Sequence, residues 1–518
     1  MMILNVIFLF FSLTLTLLFF LYGFNHYYLL IAARRYKSPN LLPDPSGFRP
    51  RVAIHLPVYN EKYVIRRLVE ACTHMAEEYG IEGVNVLIID DSDDDTAKIV
   101  DEVVEGYKEK HFQIEVLRRG SRVGFKAGAL QAALDRTEEE FIAIFDADFI
   151  PPPDFLVRTL PYFIQDEGLG VIQTRWTHIN RNYNMLTRAI ATGIDVHFLI
   201  DQAGRYATGC FQNFNGSGGV LRKRALLEAG GWQADTLAED LDASYRVQIQ
   251  GYRILYLKDL LSPGEVPPTV PSYKKQQGRW ACGSLRTAKK LLPTLMVNHN
   301  LGFRKRLQAF IHLTGYMVHP LMSTSFVLAC LATLLKVDSF RVAEVFYHAE
   351  ESIITGTVQT SASIAPQFLL WGLIGLLILL CTVAAWIPPV VALRAQALPV
   401  SRKLLSFLIL YLLGCGVSLS NTIEAGKALF TNRNWVFKRT PKYAILNNQE
   451  KWRDKRYQVP LDFVSILELG FVSLGGIAIG SAVWHSNFAI LLILVPFTAA
   501  YAFIALLTIL QSRREASL

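Results

Sequence analysis

Long apolar stretches frame the chain at both ends. The first covers residues 2–33 and is followed directly by Arg34, Arg35 and Lys37. About 20 apolar residues are enough for one helix to cross a bilayer, and this stretch lacks the basic start and small-residue cleavage site of a signal peptide. It therefore predicts a membrane anchor. After the basic cluster at 304–306, four further stretches predict membrane-spanning helices at 307–335, 366–393, 461–483 and 486–511.

Between these stretches, residues 51–300 alternate short apolar runs with helical patterns. The runs at 52–56, 84–89 and 141–145 have the length of buried strands, and residues 64–78 show the period of a helix. This alternation is typical of βαβ units and predicts an α/β domain with a mixed, mostly parallel sheet. Polar residues follow each strand run, and such sheets bind ligands at the carboxyl ends of their strands.

Positive charge predicts the topology, because loops rich in Lys and Arg stay on the cytosolic side of a membrane. The cations after the first span place its end, and the α/β domain, in the cytosol. The loop 433–456 holds eight Lys or Arg against two acidic residues, so it is also expected there. The shorter segment 404–430 then has to lie in the interface or re-enter. The predicted divisions are a transmembrane helix at 1–36, a cytosolic domain at 37–285, an interfacial helix region at 286–306, spans at 307–335 and 366–393, the interfacial or re-entrant helix at 404–430, a cytosolic loop at 431–460, spans at 461–483 and 486–511, and a cytosolic tail at 512–518.

Composition agrees with a mixed chain. Of 518 residues, 51% are hydrophobic and 19% charged, with a mean hydropathy of +0.27, which is too apolar for an ordinary soluble protein and too charged for an all-membrane one. Residues 1–300 hold 33 Lys and Arg against 34 Asp and Glu, so the net charge of +8 arises after residue 300. We interpret this excess as a topology signal and not as a nucleic-acid-binding surface. Six scattered cysteines without a CxxC pair exclude a disulfide scaffold.

An acidic cluster at 90–95, beginning with Asp90 and Asp91, follows the predicted strand at 84–89. A solvated loop and a calcium loop are the alternatives to a ligand site. An EF-hand loop needs Gly at its sixth position and a helix before it. Here Thr96 takes that position and a strand precedes the cluster, so the calcium interpretation fails.

A pair of carboxylates, Asp146 and Asp148, follows the predicted strand at 141–145. At alternate positions of an extended chain the two side chains point the same way. Paired carboxylates suit a hard divalent cation that also holds a diphosphate. The DxD pattern is common by itself, so a structural role stays open at this point.

Two further polar motifs come later in the α/β domain. Glu239 and Asp240 precede a helical run, where they serve either as acids that complement the helix dipole or as a catalytic base. The motif QxxRW at 276–280 offers an amide, a guanidinium and an indole just ahead of the membrane part. Its indole is suited to stack on a sugar or to anchor at the membrane interface.

In this order and spacing the motifs resemble those of the processive family-2 glycosyltransferases, which carry Asp-Asp-Ser, DxD, an acidic-Asp pair and QxxRW in turn. Segments 214–220, 229–232, 239–242 and 276–280 are most similar to the mannan and glucomannan synthases of the cellulose synthase-like group. The resemblance implies a GT-A-type nucleotide-sugar-binding domain inserted in a multi-span helical membrane domain. Ala238 and Asn215 depart from the corresponding cellulose synthase motifs, which does not favour a cellulose product.

The resemblance also implies a role for each candidate residue. Asp240, with Glu239 beside it, would be the base of an inverting displacement, and Asp146 and Asp148 would coordinate Mg²⁺ or Mn²⁺. The nucleotide would be bound by Pro57, Tyr59 as a stacking surface, Glu61, Asp90, Asp91, Lys126 and Asp146. The acceptor would be bound by Gln276, Arg279, Trp280, Gln173 and Trp176. Phe437, Arg439, Thr440 and Lys442 resemble the gating loop FxVTxK of cellulose synthases, with Arg439 in place of Val and Pro441 inserted.

The function implied is a multi-pass hexosyltransferase of the plasma or inner membrane, with a cytosolic catalytic domain. It would polymerise a β-linked hexose, with β-1,4 as the expected linkage, from GDP-mannose or UDP-glucose and secrete the polysaccharide through its own spans. One alternative is a non-processive enzyme that adds one sugar to a lipid. Another is a transporter, against which stand the lack of an obvious inverted repeat and the few charges within the spans. The donor sugar, the linkage and any auxiliary subunits stay open.

Overall fold

The computed structural model of the chain describes residues 2–40, 47, 49–337, 365–394, 396, 399–431, 439–446, 450–455 and 461–515. The chain divides into two compact units. The first comprises Leu29–Thr314 and Glu424–Val459, and the second comprises Met1–Tyr28, Gly315–Ile423 and Pro460–Leu518. We call them the sheet unit and the helical unit.

Seven strands form one sheet in the sheet unit: β1 (Val52–Val58), β2 (Val84–Asp90), β3 (Gln113–Leu117), β4 (Phe141–Ile144), β5 (Leu169–His178), β6 (Gly219–Arg222) and β7 (Arg253–Gly264). Their order across the sheet is β3-β2-β1-β4-β6-β5-β7. All pairings are parallel except those of β6, which is antiparallel to both of its neighbours. The predicted mixed, mostly parallel sheet is confirmed.

Helices pack against this sheet and bury its central strands. Nearly every residue of β1, β2 and β4 is buried, as expected for parallel strands covered on both faces. The first covering helix, α2 (Ile65–Tyr79), buries Leu68, Cys72 and Met75 at a spacing of three and four residues. The other helices before β7 are α3 (Thr96–Lys108), α4 (Phe125–Arg136), α5 (Phe155–Gln165), α6 (Met185–Val196), α7 (Ala203–Ala207), α8 (Lys223–Glu228) and α9 (Glu239–Ile249), with α1 (Met2–Ala33) at the N-terminus.

Two helices after β7 differ from the predicted divisions. Helix α10 (Val270–Val297) runs without a break through the expected boundary at 285/286. Helix α11 (Phe303–Leu313) ends at Leu313, and the next candidate span begins at Gly315, eight residues after the predicted start of the span at 307–335. The reason is packing, because Ala309 and Leu313 are buried against Leu291 and Leu295 of α10.

Five described helices are long and apolar enough to cross a membrane: Ile3–Ala33, Gly315–Leu334, Gly375–Arg394, Phe463–Trp484 and Leu491–Ser512. Helices Val400–Gly416 and Ser418–Phe430 meet at a bend of 40°, the geometry of a broken span or a re-entrant loop. This bend falls in the segment predicted to be interfacial or re-entrant. The full helices of this region are α12 (Val318–Leu334), α13 (Ala365–Arg394), α14 (Val400–Gly416), α15 (Ser418–Phe430), α16 (Phe463–Trp484) and α17 (Leu491–Glu515).

Candidate active site

A cleft lies at the carboxyl ends of the parallel strands in the sheet unit. Most of the predicted site residues contribute to its wall, although they come from distant parts of the chain. This is the edge at which open α/β sheets bind ligands. Its lining includes Pro57, Tyr59, Glu61, Asp91, Arg122, Lys126, Asp146, Asp148, Trp176, His178, Glu239, Asp240, Gln276, Arg279, Trp280, Arg439, Thr440 and Lys442.

The two carboxylates of the DxD motif lie in a turn and not on an extended strand. Strand β4 ends at Ile144, and the amide of Phe149 donates to the carbonyl of Asp146 at 3.0 Å to close the turn. The expectation that Asp146 and Asp148 lie on an extended continuation of the strand is therefore wrong. Each pairs with a different cation, because Lys126 Nζ lies 2.5 Å from Asp146 Oδ1 and Lys442 Nζ lies 2.5 Å from Asp148 Oδ2.

The chemistry of this pair fits a divalent cation. The Asp148 side chain is 3% exposed, and its Oδ1 is buried without a hydrogen-bond partner. Within the described residues no group of three His, Cys, Asp or Glu side chains forms a metal site. Magnesium-type sites are often built from one or two carboxylates, with the remaining ligands from substrate phosphates and water. Asp146 and Asp148 match that type of site.

Asp146, Asp148, Glu239 and Asp240 line the cleft together, and we call them the carboxylate cluster. Lys126 lies in the first turn of α4 and points its ammonium group towards this cluster. Besides Asp146, its Nζ contacts the carbonyl of Gly216 at 3.0 Å and Glu239 Oε1 at 3.7 Å. Burial lowers the pKa of Lys126, but the charges of Asp146 and Glu239 outweigh burial and raise it above the ordinary value. The ammonium group therefore stays charged and is placed to neutralise an anion in the cleft.

Asp240 occupies the first turn of α9. The sequence alone allowed two roles for it, an acid that complements the helix dipole or a catalytic base. Its Oδ1 accepts a hydrogen bond from the Leu241 amide at 2.8 Å. Burial raises the pKa of Asp240 to about 7, with a further increase from the charge of Glu239 and an opposing effect from Lys126. A carboxylate that titrates near neutral pH on the wall of a cleft is suited to general-base catalysis.

The segment 439–446, which we call the loop segment, reaches the same cleft from the C-terminal part of the chain. Arg439 Nη1 lies 3.2 Å from Glu61 Oε2, and Lys442 binds Asp148 as described. The hydroxyls of Tyr443 and Ser272 are 3.1 Å apart, and Tyr443 is buried. Burial raises the pKa of Glu61 to about 8, against the opposing charge of Arg439. Phe437, also predicted for this loop, lies outside the described residues.

The predicted nucleoside side of the cleft contains Tyr59 and Asp91 but not Asp90. The Arg122 guanidinium covers the Tyr59 ring, at 3.3 Å from its centroid. Asp91 is ion-paired with Arg119. Asp90 is buried and accepts hydrogen bonds from Arg118 Nε and the Ser92 amide, both at 3.0 Å. It therefore stabilises the turn after β2 and does not line the cleft.

The predicted acceptor residues also separate into two groups. Gln276, Arg279 and Trp280 line the cleft from α10, and Trp176 lines it from the end of β5. Trp176 Nε1 donates to the carbonyl of Ser217 at 2.9 Å. Gln173 lies three residues earlier on β5, is buried, and accepts a hydrogen bond from the Asn215 amide at 2.7 Å, so it supports the loop through which Asn215 reaches the cleft.

The part of the chain that forms the sheet matches a known protein family. The family described as "Glycosyltransferase like family 2" matches residues 50–283. The chain contains a family-2 glycosyltransferase domain. This domain carries the sheet, the carboxylate cluster and the QxxRW motif of the cleft.

The glycosyltransferase domain has curated plant relatives. The chain is 32% identical over 308 residues to "Probable glucomannan 4-beta-mannosyltransferase 9" of Oryza sativa subsp. japonica, covering 58% of each chain. It is 34% identical over 280 residues to "Glucomannan 4-beta-mannosyltransferase 2" of Arabidopsis thaliana, covering 53% of this chain and 52% of the relative. The chain thus spans about half the length of the curated relatives it matches.

Among solved structures, the chain is similar to "Mannosyltransferase PcManGT from Pyrobaculum calidifontis in complex with GDP-Man and Mn2+". The identity is 20% and the TM-score 0.49, with 72% of this chain and 98% of that chain covered. Independently of that likeness, the family match, the mixed sheet and the five candidate membrane helices confirm the fold class predicted from the sequence, a GT-A-like α/β domain accompanied by apolar helices long enough to span a membrane.

Sequence reasoning missed two cleft features of the glycosyltransferase domain. One is Arg122, which no motif singled out, because arginines in a loop are common and only the fold stacks this one on Tyr59. The other is Gly216, whose φ of +80° is accessible to glycine at little cost. A signal for Gly216 was present in the glycine-rich run at 216–219, which marks a close approach of backbone to other groups.

Gly216 provides a test of the base assignment through the backbone. A Cβ at this position would lie 2.7 Å from Asp240 Oδ2 and 3.3 Å from Lys126 Nζ. We expect Gly216→Ala to lower kcat by at least about tenfold, because displacing a reacting group by a fraction of an ångström is costly. The matched control is Gly209→Ala, which has a similar φ of +64° but no atom within 4 Å of its Cβ. Equal kcat values in the two variants would contradict this role for Gly216.

Proposed function

We propose that the chain is a membrane-embedded, inverting hexosyltransferase that extends a β-1,4-linked mannan or glucomannan from a nucleotide-diphospho-sugar. The observation that carries the proposal is the carboxylate cluster, in which a base-type carboxylate, a DxD pair and a partly buried lysine face one cleft of a family-2 domain. The relatives named as glucomannan 4-beta-mannosyltransferases support the mannosyl product.

The proposed reaction is a single displacement at the anomeric carbon of the donor. Asp240 removes the proton of the acceptor hydroxyl as its oxygen attacks, and the bond from the anomeric carbon to the diphosphate oxygen breaks on the opposite face. A single displacement inverts the configuration, so an α-linked donor yields a β-glycoside. Lys126, Lys442 and Arg439 are the cations placed to stabilise the departing diphosphate.

A divalent ion, Mg²⁺ or Mn²⁺, would be held by Asp146 and Asp148. Bound there, it would neutralise charge that develops on the diphosphate as it leaves. The buried, unpartnered Oδ1 of Asp148 supports this assignment. Exchange of Lys442 from Asp148 to a phosphate oxygen would free the carboxylate for the cation.

The acceptor end would lie against Trp280 and Trp176, whose indoles suit sugar faces, with Gln276 and Arg279 as hydrogen-bonding groups. The candidate membrane helices support secretion of the growing chain through the protein's own spans. The loop segment and the cleft belong to the same unit, which supports placing both on the same side of the membrane. The positive charge of the loop favours the cytosolic side of a plasma or inner membrane. We propose no nucleic-acid partner.

The decisive experiment uses the purified full chain in detergent with Mg²⁺ or Mn²⁺ and either GDP-mannose or UDP-glucose. With GDP-mannose we expect release of nucleoside diphosphate and a product that β-mannanase degrades. A product that carries one sugar on a lipid would refute the polymerase, and no release from any nucleotide sugar would refute the transferase.

The pH dependence follows from the raised pKa of Asp240, which is about 7. Protonated Asp240 cannot accept a proton, so kcat/KM should fall about tenfold per pH unit below that value and level off above it. Positive charge from a bound cation shifts this limb towards lower pH. The measurement is kcat/KM from about pH 5 to 9, with donor affinity measured in parallel. A profile that stays flat down to about pH 5, at constant donor affinity, would contradict the assignment.

A further inference from the structure

Three arginines of the segment 118–122 face very different surroundings. Arg118 pairs with Asp90 and Asp101, and Arg119 pairs with Asp91. The Arg122 carbonyl accepts from the Phe125 amide at 3.0 Å, but its side chain makes no hydrogen bond or ion pair with any residue that the structure describes, and its Nε is buried without a partner. A guanidinium carries five N–H donors, so this side chain enters the cleft with its hydrogen-bonding capacity unused.

Stacking holds Arg122 in place. Its guanidinium carbon lies 3.3 Å from the centroid of the Tyr59 ring and 5.5 Å from that of Phe125. A planar guanidinium on an aromatic face keeps its N–H groups at its edge, free for a bidentate acceptor. Arg119 ties the backbone on both sides of Gly124 to Asp91, because it also donates to the carbonyls of Val123 and Phe125 at 2.9 and 3.1 Å.

The position of Arg122 distinguishes it from the phosphate-side cations. Lys126 and Lys442 bind the DxD carboxylates that follow β4. Arg122 instead covers Tyr59, which follows β1, next to Asp91, which follows β2. Because the sheet order is β2-β1-β4, Arg122 lies on the side of the cleft away from the metal-binding carboxylates. That side is left for the nucleoside when the diphosphate occupies the carboxylate cluster.

We propose that Arg122 is a specificity-determining residue that reads the nucleobase of the donor through a bidentate hydrogen bond to a guanine. Guanine presents O6 and N7 as adjacent acceptors, the edge that arginine forks recognise most often. Adenine replaces O6 with a donor, and uracil has no ring nitrogen acceptor beside its carbonyl oxygen. The inference rests on the proposed function, because it names the nucleotide class of the same site.

The test measures binding of nucleoside diphosphates to the purified full chain in detergent with Mn²⁺, by titration calorimetry. The ligands are GDP, 7-deaza-GDP, which lacks the N7 acceptor, ADP, UDP and pyrophosphate. We expect the unmodified chain to prefer GDP to 7-deaza-GDP and ADP by about tenfold or more. Arg122→Gln should abolish these preferences and leave the affinity for pyrophosphate within about twofold of its original value.

Two further variants complete the design. Arg122→Lys keeps the charge but loses the fork, and should also lose the preference for GDP over 7-deaza-GDP. Arg66→Gln is the control, because Arg66 is exposed on α2 and pairs with Glu102; it should bind every ligand as the unmodified chain does. Thermal unfolding in detergent checks that each variant is folded.

The outcomes separate this inference from the proposed function. An equal loss of GDP, UDP and pyrophosphate affinity in Arg122→Gln would make Arg122 a phosphate ligand and overturn the proposal. Absence of a GDP preference in the unmodified chain would overturn it too. Base-selective binding that depends on Arg122, without any sugar transfer, would support the inference while refuting the transferase. Transfer from a nucleotide sugar with unchanged base selectivity in Arg122→Gln would do the reverse.

Discussion

Asp240→Asn should lower kcat for sugar transfer by about 10³-fold, within the range for loss of a general base. The amide has nearly the same shape as the carboxylate, so it can still accept the Leu241 hydrogen bond at the start of α9. It cannot take a proton from the acceptor hydroxyl. Because the change removes an interaction needed only as the bond forms, donor KM should change little. Initial rates of nucleoside diphosphate release give both constants.

The control for this prediction is Asp235→Asn. Asp235 lies five residues earlier, its side chain is 56% exposed, and its partner is Lys290. The Asp235→Asn substitution removes one negative charge from the same segment, but Asp235 does not line the cleft. Activity should therefore be retained. Transfer at the original rate by Asp240→Asn would eliminate Asp240 as the base and direct attention to Glu239.

Asp148→Asn should reduce divalent-cation-dependent donor binding by about 10² or more, because the carboxylate is one of two oxygen ligand groups available after β4. The substitution also removes the partner of Lys442. Titration of Mn²⁺ in the presence of nucleoside diphosphate, followed by activity at saturating metal, measures the effect. Here kcat should fall together with affinity, since charge neutralisation of the diphosphate is needed as it leaves.

Asp154→Asn is the matched control for the metal prediction. Asp154 directly precedes α5, its side chain is half-exposed, and it forms an ion pair with Arg158. Its replacement should leave the Mn²⁺ titration unchanged. If Asp148→Asn bound Mn²⁺ and donor as the unmodified chain does, the DxD pair would have a structural role, the alternative that the sequence alone left open.

The fold was largely predictable because its strands are buried on both faces. Runs of apolar residues at 52–56, 84–89 and 141–145 agree with β1, β2 and β4 to within two residues at each end. The start of the first membrane span after the sheet unit was not predictable. Ala309 and Leu313 are apolar, and apolar residues are compatible with both a protein core and a lipid environment. Only their contacts with α10 show that protein, not lipid, covers them.

The candidate site was predictable where motif residues are rare in sequence and was not where burial decides. Asp90 and Asp91 are neighbours of the same type, yet one is enclosed beneath the turn and the other lines the cleft. Gln173 is likewise buried, and its side-chain oxygen accepts a hydrogen bond from the Asn215 amide, so it does not line the cleft as Trp176 does. Arg122 could not be found in the sequence, because its stacking partner Tyr59 is separated from it by two strands and two helices.

The ionic contacts of Lys126 and Lys442 have a consequence for how an anion enters the cleft. Both lysines already hold protein carboxylates, so a diphosphate does not meet bare cations and releases few mobile counterions from them. In the proposed function its arrival would be an exchange of partners inside the protein, in which Lys126 and Lys442 would move to phosphate oxygens and free Asp146 and Asp148 to hold a divalent cation. Donor affinity should accordingly depend on divalent cations far more steeply than on ionic strength.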